Sequence, residues 1–289
     1  MGRRIAIGFV GVVVALGAVV RGTPERPHRT QASLNIGPVF QQTPVWCWAA
    51  VGEMVFRYYG VGNINPVGNF QCGIIALLHP ACNQNCANCI VPAGSLATMN
   101  NMLTRYPTVA SQITRTSTRI STLTSQTALT RDALEAEIDA DRPVVAGISP
   151  SGYRTAGVSQ HVALIVGYDD DDIIVNDPFP FGPATFTGNP YLAAGGDELQ
   201  RKGQYQIAYS AFVRRLQWGE SIYRIRCTGA DCGSGNSAGG EGSRGPQLGR
   251  SCQTAFGTCG PFYNQPAQPL GSQCYCATPA GPVYGRVVR

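Results

Sequence analysis

Three places in this chain carry side chains that could do covalent chemistry together: Cys47, His161 and the pair Asn176–Asp177. A cysteine is nucleophilic as its thiolate, and an unperturbed thiol with a pKa of ~8.5 is mostly protonated at neutral pH. Cys47 stands where that balance can shift. It opens the run CWAAVGEMVFRYYG, in which Cys47, Ala50, Val51, Met54, Val55 and Tyr58 recur at the spacing of one helical face, and Gly60 sits where a helix cap is expected. The N-terminus of a helix offers unpaired N–H groups and the positive end of the dipole to an anion, and a neighbouring imidazolium stabilises a thiolate further. Of the three histidines, His28 lies in a Pro- and Arg-rich stretch and His79 lies among cysteines. His161 opens the apolar run HVALIVGY, a strand that would hold its ring in one orientation. After the turn at Asp169 to Asp172, the run DIIVNDP pairs back along that strand and brings Asn176 or Asp177 near the histidine. Either side chain can select the imidazole tautomer and stabilise its charged form.

The elements that must position these groups are legible to different degrees. Residues 96–106 show a helical spacing of Leu96, Met99, Met102, Leu103 and Tyr106, with Pro107 expected to end the helix. Residues 108–129 are rich in Ser and Thr and read as an exposed loop or ribbon. TRDALEAEIDADRP reads as a helix capped by Thr130 and stapled by Leu129 against Leu134, with Pro143 stopping it. PVVAGIS, HVALIVGY and DIIVND read as strands. Helices ahead of a run of strands predict an α+β domain.

Eleven cysteines in one chain predict a disulfide framework, and the odd number leaves one thiol over. Cys72, Cys82, Cys86 and Cys89 form one cluster, expected to be an irregular stapled excursion, and Cys227, Cys232, Cys252, Cys259, Cys274 and Cys276 form another. Two bridges and then three leave Cys47 free, with the pairing inside each cluster open. Zinc is the alternative for the first cluster, but in an exported chain disulfides are favoured. Export is expected because Arg3 and Arg4 precede an apolar run over residues 5–20, shorter than the ~18–20 residues that usually span a bilayer. Residues 1–22 are thus a signal peptide or, if uncleaved, an N-terminal anchor. The chain is therefore expected to be secreted or periplasmic, and membrane-bound only if that segment is uncleaved.

With 44% hydrophobic and 13% charged residues, 35 glycines and 20 prolines, the chain is globular and loop-rich. A net charge of +5 comes from scattered arginines and a single lysine, Lys202, without a basic stripe, so no nucleic-acid partner is expected. The four-Asp run reads as a solvated hairpin turn rather than a cation site, since the Gly and Glu of a calcium loop are absent. Trp46 and Trp48 read as packing residues. The expected division is a linker over 23–35, a main domain over 36–226, a Gly/Ser-rich linker over 227–251 and a Cys-rich module over 252–289 held by disulfides.

The segments QQTPVWCWAA and SQHVALIVGYDDDDIIVNDP, with ALTRDALEAEIDADRPVVAGIS before the histidine, resemble the papain-like cysteine peptidases over about residues 36–218. They are most similar to the compact bacterial group that includes effector proteases of plant pathogens and bacteriocin-processing peptidases. The resemblance implies a helical lobe carrying Cys47 and an antiparallel sheet lobe carrying the histidine, with a cleft between. It implies Cys47 as nucleophile, His161 as general base and Asp177 as its orienting partner, because the family uses Asn in papain-type members and Asp, followed here by Pro178, in the bacterial group. Gln41, six residues before Cys47, would donate to the oxyanion hole, with Gln42 as its competitor. No metal or cofactor is required, and the substrate is a peptide or protein. The same triad serves acyl transfer to an amine, as in transglutaminase-like enzymes. A non-catalytic secreted binding or adhesion protein working through its Cys-rich tail is the reading from another class.

Overall fold

The computed structural model describes residues 2, 30–82, 86, 89, 91–93, 95–150, 161–181 and 188–233, and in the C-terminal part 248–249, 251–254, 257–259, 268–269, 273–278 and 281–288. Apart from residue 2, the expected targeting segment lies outside the described residues, as do residues 23–29 of the first linker and residues 234–247 and 250 of the second. Among the described residues no helix is long and apolar enough to cross a membrane.

Strand β1 (Gln31–Ser33) comes first, inside the stretch expected to be linker. It is ordered because the chain that follows buries Leu34 and Ile36 at 3% exposure each, which holds the strand in register on the sheet. Helix α1 (Cys47–Tyr58) follows, as the apolar spacing predicts. It is buried nearly all round rather than on one face, since it lies against helices on one side and the sheet on the other. Its end is a Schellman motif: Val61 N–H bonds Phe56 C=O at 2.8 Å, Gly60 N–H bonds Arg57 C=O at 3.3 Å, and Gly60 adopts a φ of +71° that favours glycine.

Helix α2 (Phe70–Leu78) replaces part of the expected irregular excursion. The sequence hides it because the run is apolar almost throughout and shows no period. Asn69 caps it, accepting from Cys72 N–H at 3.0 Å. Helix α3 (Leu96–Thr114) is capped by Ser95 and runs on through Pro107, where a stop was expected. The apolar stripe continues past the proline, with Met102, Tyr106 and Ala110 all at 0% exposure, so burial outweighs the one hydrogen bond that proline removes. Gly52 lets α1 and α3 approach, since a Cβ there would lie 2.7 Å from the Met102 side chain.

Strand β2 (Arg119–Ser125) occupies the Ser/Thr-rich stretch, mostly exposed and interrupted by a bulge, and helix α4 (Arg131–Ile138) starts at Thr130, whose Oγ1 accepts from Ala133 N–H. Strands β3 (Val144–Ile148), β4 (His161–Asp169) and β5 (Asp172–Asn176) are the three expected ones. They are followed by α5 (Pro190–Ala193), β6 (Asp197–Glu198), β7 (Gln204–Ala208), α6 (Tyr209–Arg215) and β8 (Glu220–Thr228). The sheet is antiparallel in the order β2-β8-β3-β4-β5-β7-β6, with β1 paired to the far end of β4. β3 is central and wholly buried, as its unbroken apolar run requires. The result is a helical layer on an antiparallel sheet, the α+β arrangement expected.

The disulfides join Cys72 to Cys86, Cys82 to Cys89 and Cys227 to Cys232. Cys252 and Cys259 are also disulfide-bonded, and among the described residues Cys47 is the free thiol. Strand β8 continues past residue 226 to Thr228, and the chain beyond it stays attached: Asp231 accepts from Ser117 N–H at 2.7 Å, and Gly233 N–H bonds Tyr59 C=O. In the C-terminal part β9 (Leu248–Gly249) pairs with β12 (Gln268–Pro269). There β10 (Ser251–Thr254), β11 (Gly257–Cys259), β13 (Gln273–Thr278) and β14 (Gly281–Val288) form a separate sheet in the order β11-β10-β14-β13.

Candidate active site

Cys47 is the first residue of α1. Its N-cap, Trp46, has no side chain able to satisfy the first turn, and no side-chain capping bond is made. The first helical bond runs from Ala50 N–H to Trp46 C=O at 3.0 Å, so the amides of Cys47, Trp48 and Ala49 precede the helical ladder, and the positive end of the helix dipole lies at the thiol. Both flanking indoles are 1% exposed and turn outward from the chemistry: Trp46 donates to Cys89 C=O at 3.1 Å and Trp48 to Val91 C=O at 3.2 Å. They pack, as expected, and in packing they fasten the disulfide-stapled loop to the start of α1.

His161 opens β4, opposite Ile148 on β3. Across the β4–β5 hairpin Leu164 pairs with Asn176, so Asp177 reaches diagonally toward His161 while Asn176 points the other way. His161 Nε2 lies 2.7 Å from Asp177 Oδ1, which leaves Nδ1 for the Cys47 thiol, a group near enough to act on the charge of the ring. Asp177 is fully buried and its other bonds fix it: Oδ1 accepts from Phe179 N–H at 2.8 Å, and Oδ2 accepts from the Tyr191 hydroxyl at 2.7 Å. Asn176, also at 0% exposure, donates to Ile36 C=O and accepts from Gln204 Nε2, both remote from the histidine.

The electrostatics follow from this packing. Burial opposes the imidazolium, but the charge and hydrogen bond of Asp177, with a smaller contribution from Cys47, outweigh it and push the His161 ring from 6.5 up to about 10. Phe179 stands edge-on to the ring, at 6.3 Å between centroids and 90°, and Phe181 packs against Phe179, so one flank of the His161–Asp177 pair is walled by aromatic carbon.

Gln41 and Gln42 differ sharply. Gln41 is half-buried; its N–H bonds Pro178 C=O at 2.9 Å and its Nε2 donates to Thr43 C=O at 2.8 Å, against the turn that enters α1. One proton of that amide remains, and its Oε1 is buried with no partner. Gln42 is exposed and spends its Oε1 on Asn69 Nδ2.

The four-Asp run is the β4–β5 hairpin turn. Arg131 bonds the Asp171 carboxylate and the Asp170 carbonyl, and Gln206 reaches Asp172 at 3.0 Å. Among the described residues no group of three or more His, Cys, Asp or Glu side chains is arranged to hold a metal.

Residues 33–185, more than half of the chain and a stretch that contains Gln41, Cys47, His161 and Asp177, match the model of the Peptidase_C39 like family. The chain belongs to that family. It is a papain-like cysteine peptidase, and its substrate class is peptide or protein. A candidate C39-like peptidase of known crystal structure from Bacillus anthracis overlays with a TM-score of 0.36 at 12% identity, covering 69% of this peptidase and 100% of that chain. A comparison with curated proteins gives no match.

Sequence reasoning missed Tyr191, which lies outside the family match. Its only local signal is Asn189-Pro190, a cap followed by a helix-starting proline, which locates α5 but says nothing of Asp177.

Proposed function

We propose that the peptidase cleaves peptide bonds through Cys47 as nucleophile, His161 as general base and acid, and Asp177 as the group that orients the imidazole. The observation that supports this reading is the 2.7 Å contact between His161 Nε2 and Asp177 Oδ1, which leaves Nδ1 available to the thiol at an uncapped helix start. The Cys47 thiolate attacks the scissile carbonyl, and the oxyanion is met by the Cys47 N–H and the remaining amide proton of Gln41. Protonated His161 gives its proton to the leaving amine, leaving a thioester. Neutral His161 then takes a proton from water, hydroxide adds to the thioester carbonyl, and the acid is released as the thiolate is restored.

In this reading the enzyme works in an oxidising compartment, secreted or periplasmic, delivered by the N-terminal segment as a signal peptide or anchor. The described bridges favour that compartment. The catalytic unit runs from β1 through about residue 233, and the Cys-rich C-terminal module is separable from it.

The test is labelling with a peptidyl vinyl sulfone followed by mapping of the modified residue. Modification at Cys47, lost with Cys47→Ala together with all but ~1% of peptide hydrolysis, is expected. Hydrolysis that survives in folded Cys47→Ala, or a label mapped elsewhere, overturns the reading.

A further inference from the structure

We propose that Gln71 is the positioning residue of the oxyanion hole, acting by clamping the backbone on both sides of Gln41; this rests on the reading of Gln41 as an oxyanion donor. Residues 37–46 belong to no helix or strand, so Gln41 has no backbone ladder to hold it. Gln71, on α2, supplies the missing bonds. Its Nε2 donates to Phe40 C=O at 2.9 Å and its Oε1 accepts from Gln42 N–H at 3.0 Å. Those two groups belong to the two peptide planes that flank the Gln41 Cα. One plane sets φ of Gln41 and the other sets ψ, so a single carboxamide fixes the direction in which the Gln41 side chain leaves the backbone.

The carboxamide is itself held. Gln71 is at 0% exposure, and the second proton of its Nε2 goes to Glu53 Oε2 at 3.1 Å. Glu53, 4% exposed, is bonded in turn by Arg57 Nε at 2.8 Å, one turn along α1. A flipped Gln71 amide would set its oxygen against a carbonyl and a carboxylate, so only one orientation is satisfied. Glu53 and Arg57 lie on the helix that begins with Cys47. The clamp therefore refers the donor to the nucleophile's own helix, and the bond from Gln41 N–H to Pro178 C=O refers it to the segment carrying Asp177. An oxyanion donor is effective to the extent that it is aimed before the reaction begins, and misplacement by a fraction of an ångström weakens it.

The experiment compares Gln71→Met, Gln71→Asn, Gln41→Ala and the double variant Gln41→Ala/Gln71→Met. It measures kcat and KM on a peptide substrate and the rate of Cys47 alkylation by iodoacetamide, which passes through no oxyanion. Gln71→Met should lower kcat about 10- to 100-fold with KM and alkylation within about twofold, and should cost less than about threefold when added to Gln41→Ala. Gln71→Asn, which keeps an amide but is too short to span both planes, should fall between, and it carries the same comparison if Gln71→Met does not fold. Unchanged kcat in a folded Gln71 variant beside a strong Gln41→Ala defect overturns the clamp alone. So does a full second loss in the double variant. Unchanged kcat in Gln41→Ala removes the donor, and the clamp's role with it.

Discussion

Tyr191 donates its hydroxyl to Oδ2 of Asp177 at 2.7 Å, on the carboxylate oxygen that does not face His161. The phenol is fully buried and stacked on Tyr205, with centroids 4.2 Å apart, so it cannot swing away. Each oxygen of Asp177 thus has a fixed donor, and the carboxylate is aimed at the imidazole from behind. Burial, followed by the nearby Asp177 carboxylate, raises the Tyr191 phenol well above its usual range, so it stays a proton donor.

Tyr191→Phe keeps the ring stack and removes that single bond. We expect kcat to fall about tenfold with little change in KM, and the alkaline limb of the pH profile to move, since a freed carboxylate oxygen alters the field on His161. Steady-state kinetics between pH 5 and 11 make the check; a Tm change without a change in kcat would assign Tyr191 to stability alone.

Asp177 and Asn176 are adjacent, yet their side chains have different partners. Asp177→Ala should cut kcat by ~10²-fold or more. Asn176→Ala should leave kcat within a few-fold and lower stability by about 1–3 kcal/mol, because it strands Ile36 C=O and Gln204 without partners. Kinetics paired with urea unfolding of both variants separate the two effects, and the reverse ranking in kcat would make Asn176 the orienting residue.

The raised His161 value predicts two pH effects. Activity on the alkaline side should persist to near pH 10 rather than failing near 6.5, where a free imidazole deprotonates. Asp177→Asn should move that limb downward, since the carboxylate supplies most of the upward shift. Because the folded-state value lies above the unfolded one, the stabilisation from the pair is complete below pH 6.5 and is lost as pH rises toward 10. The difference in Tm between wild type and Asp177→Asn should narrow over that interval; a gap that widens with pH would contradict the assignment.

Removal of the C-terminal module should spare catalysis if the cut respects the sheet. Truncation after Gly233 keeps β8, the Cys227–Cys232 bridge and the Asp231 contact with Ser117, and should retain kcat/KM within about twofold. Truncation after Arg226 cuts β8 short and removes both anchors, and should lower Tm by several degrees. A folded but inactive product of the first cut would show that the tail completes the site.

The sequence by itself determined the parts of this protein whose signals are local. A helix beginning at Cys47, strands beginning at His161 and Asp172, and the Asp-rich turn between them follow from periods of 3.6 and 2 and from turn chemistry, all of which act within about ten residues. Strand alternation even allowed only one of Asn176 and Asp177 to face the imidazole. Tertiary structure decided the rest, because those outcomes depend on what each surface meets. Pro107 should stop a helix on local grounds, but the buried stripe through Tyr106 and Ala110 kept α3 going. The run from Phe70 to Leu78 is apolar except at Gln71, so its period could not be seen until it was packed against α1 and α3. Tyr191 and Gln71 meet their partners 14 and 31 residues away through side-chain bonds, and no periodicity encodes such a distance. Which buried polar groups find one another is set by how the helical layer lies on the sheet, and that placement is a property of the whole core.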